Sequence, residues 1–141
     1  MTIDFVLLPL FVQVGLTFAL MFWMAHVRVG AIRRREVAVA DISLRQPAWP
    51  ERPTRVANAF HNQLELPMLF YVLIILALFT RKADLLFVVL AWMFVTTRLV
   101  HAGIYVTSND MRLRFTSFAV GALILLVMWI IFALRILFAG I

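Results

Sequence analysis

The chain has 141 residues, 65% of them hydrophobic and none of them cysteine, and its mean hydropathy is +1.00. Soluble domains carry roughly 45–50% apolar residues, so this composition excludes an ordinary soluble domain, and the missing cysteines exclude disulfides, thiolate metal sites and a protein-borne thiol nucleophile. The net charge of +6 does not point to nucleic acid, because the basic residues sit beside apolar runs, where membrane topology and anionic headgroups account for them.

A spanning helix needs about 20 mostly apolar residues. The run IDFVLLPLFVQVGLTFALMFWMAHV predicts a first span over about residues 3–28. It lacks the basic n-region and small-residue cleavage site of a signal peptide, so it is expected to remain in the mature protein. Gln13, mid-span, reads as glue between packed helices, and His26 as an interfacial residue. A polar connection over about 29–54 follows. Pro47, Pro50 and Pro53 are expected to keep its second half non-helical, with Trp49 as an interfacial anchor; long loops of this kind are also often functional.

Three further spans are expected over about 56–79, 84–106 and 112–138. TRKAD (80–84) is short enough to make the second and third spans an antiparallel hairpin, and TSND (107–110) offers N-cap residues to the fourth. The expected fold is therefore an all-α integral membrane protein, a single four-helix transmembrane bundle. Arg28, Arg33, Arg34, Arg35, Arg45, Arg52 and Arg55 cluster at the first connection and Arg112 and Arg114 follow the third, against Arg81, Lys82 and Arg135 on the other side. Positive-inside logic places the first and third connections in the cytoplasm and both termini outside.

The second span opens on RVANAFHNQLE, an unusually polar start for a membrane helix. Asn58, His61, Asn62 and Glu65 recur at helical spacing on one face, and Arg98, His101 and Tyr105 do the same on the third span. In an antiparallel hairpin, residues at equal depth have position numbers of constant sum. Glu65 with Arg98, Asn62 with His101 and Asn58 with Tyr105 all satisfy that condition, so the two stripes are expected to match rung for rung. Glu65 and Arg98 would lie roughly 15 Å in from the helix ends. A charge at such depth costs at least about 2.5 kcal/mol, so the two are expected to pair as the floor of a polar cavity. A network that only fixes helix register is the alternative. Arg112 and Arg114 enter at the mouth, where a cation can hold an anion or lower a thiol pKa from about 8.5; with no cysteine present, that thiol belongs to a cosubstrate. Two histidines on different helices without convergent carboxylates or cysteines argue against a metal site.

RVANAFHNQLELP followed by RLVHAGIYVTSNDMRLRF resembles the MAPEG family, the membrane-associated proteins of eicosanoid and glutathione metabolism, in a bacterial-type form. The resemblance implies a homotrimer in the bilayer, with glutathione bound near the cytoplasmic surface between helices of neighbouring subunits, and a bacterial inner membrane location. Asn62 and Glu65 match the family's second-helix motif, while Asn58 and His61 stand at positions where active members carry arginine. His101 and Tyr105 match the third-helix residues, Arg114 the arginine associated with thiolate stabilisation, and Arg28 a further ligand-contacting arginine. With Arg98, these form the expected ligand site. The implied activity is glutathione transfer to, or peroxidase action on, an apolar electrophile, with no metal. Asn and neutral His cannot supply arginine's bidentate fork for carboxylates. That keeps open a second expectation: a non-catalytic membrane subunit, or a binder of a different ligand, on the same fold.

Overall fold

The computed structural model describes residues 2–38, 40 and 49–138; the expectations for Arg45 and Pro47 lie outside the described residues. The helices used below are α1 (Ile3–Arg33), α2 (Glu51–Asn62), α3 (Leu66–Phe79), α4 (Leu85–Val106) and α5 (Met111–Leu137). Helices α2 and α3 together make one span, which gives, among the described residues, four helices long and apolar enough to cross a membrane. The expected all-α, four-span architecture is observed, and the chain is an integral multi-pass membrane protein.

Two boundaries differ from expectation, each for a local reason. Helix α1 does not stop near Arg28, because Gly30-Ala31-Ile32-Arg33 contains no strong breaker. It ends in a Schellman turn, with Arg35 N–H donating to Ile32 O (3.1 Å), Glu36 N–H to Ala31 O (3.0 Å), and Arg35 at φ 55°. The proline-rich segment is helical from Glu51, not extended to residue 54. Pro53 sits in the first helical turn, where backbone N–H groups have no intrahelical acceptor, so the missing donor is not felt.

The second span is broken at 63–65. Pro67 cannot donate to the carbonyl of Gln63, and its ring would collide with it; the chain leaves the helix at Glu65 (φ −100°, ψ −101°) before α3 resumes. The break is filled by polar side chains. Gln13 Nε2 donates to Gln63 Oε1 at 2.6 Å, Gln63 Nε2 donates to Ala59 O at 3.0 Å, and both glutamines are buried. Gln13 thus ties α1 to the second span, as expected of it.

On the α3 side of the break, Phe70, Leu73, Ile74 and Ala77 pack with Phe87, Ala91, Phe94, Leu125 and Met128 into the main core, and Phe70 stacks on Phe94 at 4.8 Å between centroids. On the α2 side, small residues let helices approach: Ala59 and Ala102 meet Leu20 of α1. Burying such side chains contributes roughly 25 cal/mol per Å² of apolar surface.

The two ends of the bundle are closed differently. At the α3–α4 turn, Asp84 caps α4 by accepting from Phe87 N–H (3.0 Å) and pairs with Arg135 at 2.7 Å. Arg135 also donates to Lys82 O at 3.3 Å, and these contacts hold the Asp84 carboxyl below the usual carboxylate range, the hydrogen bond from Arg135 being the largest cause. A second Schellman turn, Lys82 N–H to Ala77 O (2.9 Å) and Arg81 N–H to Leu78 O (3.2 Å), finishes α3. At the opposite end, Asp110 caps α5, accepting from Arg112 N–H at 2.9 Å and Leu113 N–H at 3.4 Å, as expected for TSND.

Candidate functional site: a cavity with an unpaired arginine

The site is built where α2, α4 and α5 converge beside the α4–α5 turn. Its deepest member is Arg98, 1% exposed. The expected Glu65–Arg98 ion pair is not formed. Glu65 lies in the helix break and is exposed, so the helical spacing that would have aimed it at Arg98 is lost once α2 ends at Asn62. Arg98 instead donates from Nη2 to Ser117 O at 3.0 Å, and its guanidinium lies 5.6 Å from the Phe94 ring centroid and 5.7 Å from that of Phe118. Its Nε has no partner among the described residues. Gly121 makes room for it: a Cβ there would collide with the Arg98 guanidinium and the Thr97 hydroxyl.

One turn along α4, His101 is 3% exposed and bonded at both ring nitrogens. Nε2 lies 3.1 Å from Asn62 Nδ2, and Nδ1 lies 2.8 Å from Ser117 Oγ. The Asn62–His101 rung is therefore formed, across the α2–α4 contact that the small residues permit. Of the other two expected rungs, neither closes. Asn58 is exposed, and Tyr105 turns to α5, where its hydroxyl accepts from Arg114 Nη2 at 2.8 Å.

Arg114 is the central cation. Its guanidinium stacks over the Tyr105 ring at 4.1 Å and donates to Asn109 Oδ1 at 3.1 Å, while its Nε has no partner among the described residues. Both hydrogen-bond partners are neutral, and no carboxylate among the described residues lies within ion-pair distance. A cavity of about 300 Å³ opens over it, lined by Asn62, His101, Tyr105 and Arg114 on one side and by Met111, Phe115 and Phe118 on the other. Arg114 brings an uncompensated charge to this lining, whereas Met111, Phe115 and Phe118 are apolar and exposed. Such a cavity can hold an anion against Arg114 and an apolar group against the phenylalanines.

The remaining expected site residues lie elsewhere. His61 and Glu65 are exposed on the second span, like Asn58, with His61 edge-on to Phe60 at 5.7 Å. Arg28 is half-buried with its guanidinium 4.9 Å from the Trp49 ring centroid. A separate cavity of about 460 Å³ lies between α1, α2 and α4, lined by Trp23, Glu51, Arg52, Arg55, Val56 and Val106; there Arg55 is neutralised by Glu51 and donates to Thr107 O at 3.0 Å.

Sequence reasoning missed Ser117, which receives both Arg98 and His101, and Gln63, the partner of Gln13. The depth matching used for the second and third spans, applied across the four-residue α4–α5 turn, places Ser117 level with His101 and would have found it. Gln63 had no such signal, because it faces α1 only once the helix has broken.

The model of the MAPEG family (MAPEG family) matches residues 6–134. None of the curated proteins compared with the chain matches it, nor does any solved structure.

Proposed function

The chain belongs to the MAPEG family, and from that premise we propose that it is a homotrimeric, glutathione-dependent transferase or peroxidase acting on an apolar electrophile, with its arginine-rich end in the cytoplasm. The observation that carries the reading is Arg114: a positioned cation with only neutral partners, at the wall of a cavity whose other wall is apolar. Glutathione would bring the anion that Arg114 lacks. With its thiol beside the guanidinium, loss of the thiol proton to water is favoured by charge. The thiolate sulfur bonds to an electrophile that enters along Phe115 and Phe118, expelling its leaving group (for a hydroperoxide, the alcohol as the O–O bond breaks, with a second glutathione then joining the first as disulfide). Holding the two reactants together supplies the rest of the rate. Asn62 and Tyr105 contact the peptide from the cavity wall, and Arg98 and His101 support them from beneath. Asn58, His61 and Glu65, exposed on one chain, and Arg28 complete the site from a neighbouring copy.

The test is thiolate formation. Glutathione added to the detergent-purified protein near neutral pH should develop ultraviolet thiolate absorbance, and Arg114→Ala should remove it along with conjugation of a small apolar electrophile. Thiolate and turnover that survive in Arg114→Ala would remove Arg114 from the chemistry.

A second reading is favoured by Asn58 and His61, which stand at family arginine positions and lack the guanidinium fork. The fold then holds a ligand with a single anionic group, and glutathione does not bind. Binding of a fatty acid, but not glutathione, to folded protein would select that reading.

A further inference from the structure

Ser117 sits at a junction of hydrogen bonds whose directions are set by chemistry. Its Oγ donates to Arg114 O at 3.1 Å, which uses the hydroxyl's single proton. The same Oγ lies 2.8 Å from His101 Nδ1 and, its proton spent, must accept, which makes Nδ1 an N–H donor. The charged groups against His101 are Arg98 and Arg114, with no carboxylate facing it among the described residues, so the ring is neutral and Nε2 is a bare acceptor. Asn62, 3.1 Å away, must then present its Nδ2 to the ring. Its Oδ1 is left without a protein partner among the described residues, at the wall of the cavity that Asn62 lines.

From this chain we propose that Ser117 is a positioning residue: through His101 it fixes the Asn62 amide so that the cavity offers a hydrogen-bond acceptor beside the Arg114 cation. The cavity then selects ligands that combine an anionic group with an N–H or ammonium donor, as the amino-acid and peptide units of glutathione do. The ligand half of this inference rests on the glutathione reading; the histidine half does not. Replacing Ser117 by alanine removes the acceptor for Nδ1–H. The ring gains by moving its proton to Nε2, which forces Asn62 to turn its oxygen inward and its amide donors toward the ligand.

The chain has three histidines, His26, His61 and His101, so His26→Gln with His61→Gln leaves His101 as a single nitrogen-15 probe in detergent-solubilised protein. The expected spectrum has a protonated Nδ1 and an unprotonated Nε2; an Nε2–H or doubly protonated ring in this parent protein overturns the proposal. Ser117→Ala should convert the ring to the Nε2–H form in the probe protein and, in the chain that keeps His26 and His61, weaken glutathione binding about tenfold; Ser117→Thr, which keeps the hydroxyl, should restore both. An unchanged ring in Ser117→Ala overturns the proposal even if affinity falls. Should Ser117→Ala not fold, the parent spectrum and a Ser117→Thr spectrum that departs from it decide in the same way. If the probe protein shows the expected ring but the chain that keeps His26 and His61 binds no glutathione, the glutathione reading is overturned and the positioning role is supported.

Discussion

Arg135 on one side and Arg98 with Arg114 on the other are treated in opposite ways. At the α3–α4 turn, Arg135 meets Asp84 at 2.7 Å, and the pair also caps a helix and closes a turn. Arg98 within α4 and Arg114 in the first turn of α5 have only neutral acceptors and aromatic rings, and Arg98 is fully buried. A cation matched by a carboxylate accounts for itself structurally. A buried cation left unmatched lowers stability, and it persists where something other than the fold of one chain makes use of it. That contrast, more than the presence of arginine, is what the proposed function rests on.

Substitutions can break or sharpen this comparison. The largest expected effect is at Gly121, where any side chain meets the Arg98 guanidinium; Gly121→Leu should lower stability by about 1–3 kcal/mol from overpacking, read as the thermal midpoint in detergent. Next, Arg98→Met fills the same space without the charge and should raise stability by about 1–3 kcal/mol, because no carboxylate is stranded. A clear loss instead would mean that a carboxylate reaches Arg98 from another copy.

At the opposite end the sign reverses. Asp84→Ala removes a cap and a half-exposed ion pair, which are worth together about 1–2 kcal/mol after screening. Because the folded Asp84 pKa is depressed, its contribution is fully present above the ordinary aspartate value of about 3.9 and is lost as pH falls through the lower folded value. The stability difference between wild type and Asp84→Ala should therefore shrink on acidification and stay flat from there to neutral pH. The smallest effect is expected at Glu65. Exposed and without an ion-pair partner among the described residues, it should tolerate alanine within about 0.5 kcal/mol, as denaturant midpoints would record.

Span number, the two short turns, the Asp110 cap and the role of Gln13 were all legible in the sequence, because apolar run length and cap chemistry are local signals. The polar stripes were half legible. Asn62 and His101 met as their spacing implied, but Glu65 did not reach Arg98, since uniform helical geometry was assumed through a segment that Pro67 interrupts. Pro53 misled in the other direction: proline in a first turn does not exclude a helix. The second floor of the site, Ser117 and Gly121, was missed because the eye followed ionisable residues, whereas a serine hydroxyl and an absent Cβ are what let Arg98 and His101 occupy their places.

The most direct test of the central claim is calorimetric titration of glutathione into the detergent-purified protein, with Arg114→Ala and Arg135→Ala as the paired variants, one from each end. The account predicts saturable binding to wild type, retention in Arg135→Ala despite its lower melting temperature, and at least a tenfold loss in Arg114→Ala. Equal binding by wild type and Arg114→Ala, or no binding by a folded wild type, would contradict it.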